Sequence, residues 1–210
     1  MLSRNDDWSA RHSVRMNARR TAALVNALTA EEPTAGGTAA EVAAAVAGVL
    51  REYGETGSLE FSAGDLAELR TAAVMLRDVF VADGIEGAAA VLNRLLAHSQ
   101  GPLRLTAHGG AGPWHPHLDS DDDAPWGEWF LASSCLALTV LVWDRQRAPG
   151  GVCASAGCHR VFVTEGSGPA RRYCSRRCAT RERVAAHRRG RQGAQDSGGP
   201  GGSGGSGQRS

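Results

Sequence analysis

The sequence contains no lysine, and all 23 of its lysine-plus-arginine residues are arginine. The planar guanidinium of arginine forms bidentate contacts with phosphate and guanine that the lysine ammonium cannot form. An arginine-only composition is also typical of a GC-rich genome. The composition is therefore compatible with an anionic partner but does not identify one.

Two kinds of targeting segment are also missing. The start of the chain, MLSRNDDWSARHS, has no apolar segment of the kind found in secretory signals. Residues 129–143 carry no charge, but as a helix they span roughly 22 Å, short of the roughly 30 Å hydrocarbon core of a bilayer. We expect a cytoplasmic, nucleoid-associated protein that does not contact a membrane, with this stretch as the central helix of a bundle.

Motifs of the common hydrolases and nucleotide-binding enzymes are missing as well. The chain has no Ser-His-Asp order, no glycine-rich phosphate loop and no His-Glu-x-x-His. We therefore expect that the protein is not an enzyme.

Charge is distributed unevenly along the chain. Residues 1–152 hold 12 arginines and 19 acidic residues, a net charge of −7, whereas residues 153–192 hold 10 arginines and 2 acidic residues, a net charge of +8. The overall charge of +1 hides this division. An acidic body joined to a basic end indicates that the basic end meets an anion, most often nucleic acid.

Four of the five cysteines lie within the basic end, in a C-x4-C pair and a C-x3-C pair separated by fifteen residues. Four thiolates surround Zn²⁺ tetrahedrally at roughly 2.3 Å. Redox catalysis generally uses a single C-x-x-C, and disulfides require an oxidising compartment. Redox or disulfide chemistry and unreactive thiols remain as alternatives. We predict one structural zinc ion bound by Cys153, Cys158, Cys174 and Cys178.

The residues between and after the two pairs predict a small fold around the metal. Glycine and proline at 166–169 favour a turn between two short strands, residues 161–163 and 171–173. Ser175 is a good N-cap for a helix over residues 176–189. Cys178 then lies in the first turn, where the helix dipole favours a thiolate. A knuckle, a hairpin and a helix that carries the last ligand form a treble-clef-like finger.

The runs CASAGCHRVFV and RRYCSRRCATRERVAAHRR resemble the CGNR zinc finger. In bacteria that finger follows a helical domain called ABATE, in proteins regarded as stress-induced transcription regulators. The family's Cys-Gly-Asn-Arg is here Cys178-Ala179-Thr180-Arg181, so a contact made by the family's asparagine is not implied. Val25-Asn26 matches a recurring Val-Asn pair of the first ABATE helix. Asn26 is either an ordinary residue of a helix face or a buried amide that needs partners at both ends.

We predict a mainly α fold, with an N-terminal helical bundle that contains a short β-hairpin, followed by the treble-clef-like finger. Apolar periodicity and cap signals, including Thr38 with Glu41 and Ser62 with Asp65, predict the helices of the bundle. The predicted units are an ABATE-like helical domain at residues 1–148, the finger at residues 149–190 and a disordered Gly/Ser-rich tail at residues 191–210.

A second candidate metal site lies in the segment WHPHLDSDDD, within a predicted hairpin of residues 103–105 and 114–118. His115 and His117 project from one face of a strand, and four aspartates follow closely, so a divalent ion could bind. Pro116, however, marks an edge strand, and acidic runs are usually solvated loops. We expect a solvated loop, and consider a pocket for a small-molecule effector between the hairpin and the helices as another alternative.

The resemblance implies a DNA-binding transcription regulator whose helical domain senses an effector or mediates oligomerisation. A homodimer would allow two fingers to bind paired half-sites. The alternative is a zinc-stabilised protein–protein interaction module that does not bind DNA. Each arginine of the finger is either a DNA contact or a solvated charge, and the residues predicted to bind nucleic acid are Arg171, Arg172, Arg176, Arg177, Arg181, Arg183, Arg188 and Arg189.

Overall fold

The computed structural model describes residues 10–29, 38–98, 101–110, 113–164, 166, 168 and 171–196. Within these residues there are six α-helices and two antiparallel two-stranded sheets. The helices are α1 Ala10–Leu28, α2 Ala39–Glu52, α3 Ala63–Val81, α4 Gly84–Leu96, α5 Trp126–Arg145 and α6 Arg176–Asp196. The strands are β1 Arg104–Thr106, β2 His115–His117, β3 Gly150–Val152 and β4 Val161–Val163.

The predicted cap signals start α2 and α3. The hydroxyl of Thr38 accepts a hydrogen bond from the Glu41 amide at 3.3 Å, and the Glu41 carboxylate accepts one from the Thr38 amide at 2.8 Å. Ser62 and Asp65 form the same reciprocal pair at the start of α3. Each capping box satisfies amide groups that have no partner within the helix.

The core of the molecule lies where α1, α3 and α5 pack against one another. Leu24, Leu76 and Leu138, one from each of these helices, are fully buried. Helix α2 packs on α1 and α3, and α4 packs on α3 and α5. The predicted mainly α fold, with a short β-hairpin in the bundle and a finger after it, is confirmed.

Helix α5 is the only helix in the described parts of the chain that is long and apolar enough to cross a membrane, with a mean hydropathy of 1.3 over its most apolar window. Phe130, Leu138 and Leu141 are buried in the hydrophobic core, and 44% of the window is buried. The core helix of a soluble protein can have the same length and composition as a membrane span. Because α5 packs against α1, α3 and α4, it occupies the central position predicted for it.

The hairpin of the finger differs from the prediction. Strand β4 pairs with β3, in the register Gly150 to Val163, and residues 171–173 do not form a strand. The strand predicted at 171–173 is therefore wrong, and β3, where no strand was predicted, is the true partner. The reason is tertiary: Val161 and Val163 belong to the same hydrophobic core as the bundle, and β3 reaches them directly from the end of α5.

Helix α6 continues to Asp196, so residues 191–196 are helical although the sequence placed them in a disordered tail. Arginine, glutamine and alanine at 191–195 are good helix formers, and one interior glycine costs only about 1 kcal/mol relative to alanine. The rest of the predicted tail, residues 197–210, lies outside the described residues.

Candidate metal centre

The four predicted cysteines converge on one point. Their sulfur atoms all lie within 4.8 Å of one another. The Sγ–Sγ distances are 3.7 Å for Cys158–Cys174, 3.7 Å for Cys174–Cys178 and 3.8 Å for Cys158–Cys178. A tetrahedral ion with Zn–S bonds of about 2.3 Å requires edges of about 3.8 Å. The four sulfur atoms therefore form a site of the right size for Zn²⁺.

Four separate parts of the finger bring these sulfurs together. Cys153 follows β3, and Cys158 closes a turn in which its amide donates to the Ser155 carbonyl at 2.9 Å. The amide of Cys174 donates to the sulfur of Cys153 at 3.3 Å, an interaction that stabilises a thiolate. The predicted cap of α6 is present, since the Cys178 amide donates to the Ser175 hydroxyl at 3.2 Å.

Four thiolates this close together require a cation. Burial raises the pKa of the Cys174 thiol to about 12. The hydrogen bond from Ser175 lowers the pKa of the Cys178 thiol to about 7. Thiolates this close repel one another, and a cation among them offsets that repulsion. A zinc ion deprotonates all four ligands and removes this repulsion.

Helix α6 is held to the zinc knuckle, residues 153–158, by two of its side chains. The Glu182 carboxylate accepts hydrogen bonds from the Ser155 hydroxyl at 2.8 Å and the Ala156 amide at 3.0 Å. The bond from Ser155 lowers the pKa of Glu182. The guanidinium of Arg181 donates to the Ser155 hydroxyl at 2.7 Å and to the Ala156 carbonyl at 3.1 Å. These bonds fix the direction in which α6 leaves the metal site.

Asn26 joins the finger to the helical bundle. Its side-chain amide donates to the Val161 carbonyl at 2.9 Å, and its side-chain oxygen accepts from the Val161 amide at 2.8 Å. Both ends of the amide have hydrogen-bond partners. Asn26 therefore provides Val161 of β4 with the two backbone hydrogen bonds that a neighbouring strand would provide. It is not an ordinary residue of a helix face.

The eight arginines predicted to bind nucleic acid divide into two groups. Arg181 is bonded to the knuckle, and Arg171 donates to the carbonyl oxygens of Tyr173 and Cys174. Arg172 stacks 5.9 Å from the Tyr173 ring, and Arg189 lies on the side of α6 that interacts with Glu182. All eight are exposed, and the remaining four lie with His187 and Arg191 in one sector of α6 that adjoins Arg181. We call this surface the arginine face: Arg176, Arg177, Arg183, His187, Arg188 and Arg191.

Several residues of the site were missed by sequence reasoning. Ser155 and Glu182 carry no signal that distinguishes them from other polar residues of the finger. His108 also joins His115 and His117, because the nitrogen atoms of these three side chains lie within 4.8 Å of one another. His115 and His117 were recognised as a pair, but the third histidine is brought to them by the turn after β1.

Comparison with known protein families gives a match to the CGNR zinc finger over residues 151–191. Comparison with curated proteins gives no match. The matched segment contains all four cysteines and ends within α6. Together with the spacing of the sulfur atoms, the match makes this segment a zinc-binding finger.

Proposed function

We propose that this zinc finger binds DNA and that the protein is a cytoplasmic, nucleoid-associated transcription regulator without enzymatic activity. The observation that carries the proposal is the arginine face of α6. Zinc and the knuckle contacts fix the first turns of α6, and the arginine face is exposed along the helix that extends from them.

The arrangement of the arginine face suits a nucleic-acid groove. At 3.6 residues per turn its six members fall within a sector of about 140° around the helix axis. A helix of 21 residues is about 31 Å long, comparable to one turn of B-DNA. The major groove admits one α-helix, and arginine can contact both guanine edges and phosphates there. The exposed members of the face would supply those contacts, whereas Arg181 would position the helix.

The helical bundle would serve as the regulatory part of the protein. Its net charge is opposite to that of the finger, and a cavity of ≈ 650 Å³ lies between β2 and helices α1 and α5. A small-molecule effector bound there could influence the finger, because Asn26 on α1 is bonded to β4. A homodimer would place two fingers on paired half-sites. We propose no membrane contact, because α5 is packed within the core.

DNA binding can be tested by its dependence on salt. Full-length protein loaded with zinc is titrated into labelled duplex DNA at several salt concentrations. About four to six phosphate contacts predict a slope of log affinity against log salt of about −4 to −5. Arg183→Ala should reduce the magnitude of the slope by about one. Arg51→Ala, which removes an exposed arginine from α2, is the matched control and should leave both slope and affinity unchanged.

An affinity that does not respond to salt, or no affinity for duplex DNA, would overturn the proposal. The finger would then be a protein–protein interaction module, the other function compatible with a basic surface. Selection of bound fragments from genomic DNA, with and without a chelator, would identify the operator if the slope is as expected.

A further inference from the structure

Three histidines form a cluster outside the zinc finger. We propose that His108, His115 and His117, referred to below as the histidine cluster, bind a second divalent transition-metal ion, with Zn²⁺ as the reference ion. This inference does not depend on the proposed DNA-binding function. It reverses the expectation that the segment around His115 is only a solvated acidic loop.

The Nε2 atoms of the cluster point at one another. The distance from His115 Nε2 to His117 Nε2 is 2.9 Å, and the distance from His115 Nε2 to His108 Nε2 is 3.2 Å. Zn–N bonds of 2.0–2.1 Å in a tetrahedral shell require N–N edges of about 3.3 Å. The observed spacing lies within a few tenths of an ångström of that value.

Hydrogen bonds at the other ring nitrogen orient His115 and His117. The Nδ1 atoms of His115 and His117 face oxygens that only accept hydrogen bonds, which in the neutral ring places the proton on Nδ1 and leaves the Nε2 lone pair for a metal ion. In the neutral rings, Nε2 lone pairs this close repel one another, and a metal ion between them removes the repulsion. The acceptors are the Asp119 carboxylate at 2.8 Å for His117 and the Pro113 carbonyl at 2.8 Å for His115, and the Nδ1 of His108 lies 3.3 Å from the Asp122 carboxylate in an ion-pair contact.

The carboxylates that orient the cluster are themselves held in place. Asp119 is only 2% exposed and forms an ion pair with Arg104 at 2.8 Å. Asp122 accepts from Arg104 at 2.6 Å and from the Thr106 hydroxyl at 2.9 Å. Histidine ligands of metals characteristically donate their second N–H to a carboxylate or carbonyl, which fixes the ring and raises its basicity. The acidic run therefore supports the histidine ligands and is not itself the ligand set.

The backbone also brings the three rings together. His115 and His117 lie two residues apart on β2 and share one face of the strand, as the sequence predicted. His108 has a φ of 47°, a left-handed conformation that is uncommon for residues other than glycine. The turn holds His108 in this conformation while its ring completes the cluster.

The chemistry of the site indicates a metal with an open coordination position. Imidazole ligands suit Zn²⁺, Cu²⁺ and Ni²⁺ more than Mg²⁺ or Ca²⁺. Three histidines leave the fourth tetrahedral position for water or another small ligand. The three rings line the cavity of ≈ 650 Å³, so that ligand would bind from the cavity.

Metal content tests the proposal directly. Full-length protein is equilibrated with Zn²⁺, freed of excess metal by desalting, and measured by mass spectrometry of the elements. We expect two zinc ions per chain in the wild type and one in both His115→Ala and His108→Ala. His98→Ala, which removes an exposed histidine at the end of α4, is the matched control and should retain two.

Cobalt distinguishes the two sites, because only the cysteine site gives thiolate-to-cobalt charge-transfer absorption. The His115→Ala and His108→Ala variants should bind one cobalt ion fewer than the wild type but keep this band at its wild-type intensity. An unchanged band also shows that the finger is folded in these variants. Asp119→Asn removes the buried carboxylate behind His117 and should weaken metal binding at the histidine cluster by 10- to 100-fold. One ion per wild-type chain, or two ions retained in both histidine variants, would overturn the proposal.

Discussion

At the scale of single residues, Asn26 shows how one side chain connects two parts of the molecule. Its amide forms two hydrogen bonds with the backbone of Val161, 135 positions further along the chain. A helix cannot extend a sheet through its own backbone, because its amide and carbonyl groups are already paired. An asparagine side chain provides a donor and an acceptor in the geometry of a peptide group. Asn26 therefore completes the hydrogen bonding of β4 from α1.

Asn26→Ala should lower the free energy of unfolding by about 1–3 kcal/mol, because it leaves the amide and carbonyl of Val161 without partners. Urea denaturation of the zinc-loaded protein measures this change. Asn93→Ala replaces an exposed asparagine on α4 and should change stability by less than about 0.5 kcal/mol. Equal stability of the two variants would show that the Asn26 pair contributes nothing.

Arg181 and Arg183 lie two positions apart on α6 and should have separable roles. Arg181→Ala removes the bonds to Ser155 and Ala156 and a guanidinium nitrogen 3.9 Å from the Cys178 sulfur. We expect faster transfer of zinc to a chelator in this variant, by roughly 10-fold, as for the loss of other groups that support metal ligands. Arg183→Ala should release zinc at the wild-type rate.

Identical rates of zinc release from the two variants would remove the positioning role given to Arg181. Stopped-flow measurement with a colorimetric chelator follows the release directly. The DNA affinities of the same two proteins then show whether Arg181 also contacts phosphate.

At the scale of elements, β3 is where the structure departs furthest from expectation. It begins within the Pro-Gly-Gly sequence that follows α5, a composition typical of a linker. Gly150 lies so close to the backbone of β4 that a Cβ atom there would overlap the Phe162 carbonyl oxygen and meet the Phe80 ring at 3.0 Å. Gly150 lies in a sequence typical of a flexible linker, but glycine is required there because the two strands approach each other closely.

Gly150→Ala should destabilise the protein by about 1–3 kcal/mol, the usual cost of inserting a methyl group into a filled space. Gly151→Ala is the matched control, because a Cβ there would meet the Phe162 ring at an ordinary 3.7 Å. Thermal unfolding followed by circular dichroism compares the two variants. If the melting temperature falls equally in the two variants, the loss of stability is a general effect of substitution in this hairpin. The close approach of the strands at Gly150 would then not be its cause.

At the scale of the whole molecule, the finger and the bundle share one hydrophobic core. Val161 and Val163 lie in the same buried cluster as residues of α1, α3 and α5. A finger tethered by a linker could unfold without consequence for the bundle. Here the loss of zinc would free β4 and expose part of the core that the bundle needs.

Cys174→Ser should therefore release the finger zinc, reduce the helical signal by the contribution of α6 and also lower the unfolding midpoint of the bundle. Structural zinc in small fingers contributes on the order of 10 kcal/mol, enough to decide whether the finger folds. Far-ultraviolet circular dichroism and urea denaturation measure the two effects. Cys135→Ala, at the buried fifth cysteine, should retain zinc in the finger. A bundle midpoint unchanged by Cys174→Ser would show that the finger and the bundle fold independently.

Much of the fold and the zinc site could be predicted because the relevant signals are local. Capping boxes at Thr38 and Ser62, apolar periodicity and the cap at Ser175 act between residues three or four positions apart. The four zinc ligands are recognisable because cysteines are few and their spacing matches the geometry of one ion. The charge division between body and finger is likewise a property of composition.

Only the tertiary structure decided which distant groups meet. Helix packing determines three of these contacts. Asn26 pairs with Val161, β3 pairs with β4, and His108 lies beside His115. The same packing places Arg171 and Arg181 in contacts within the finger and leaves the arginine face exposed. Sequence determines the chemistry that each residue can offer, whereas the burial of a shared core determines which of those groups come within bonding distance.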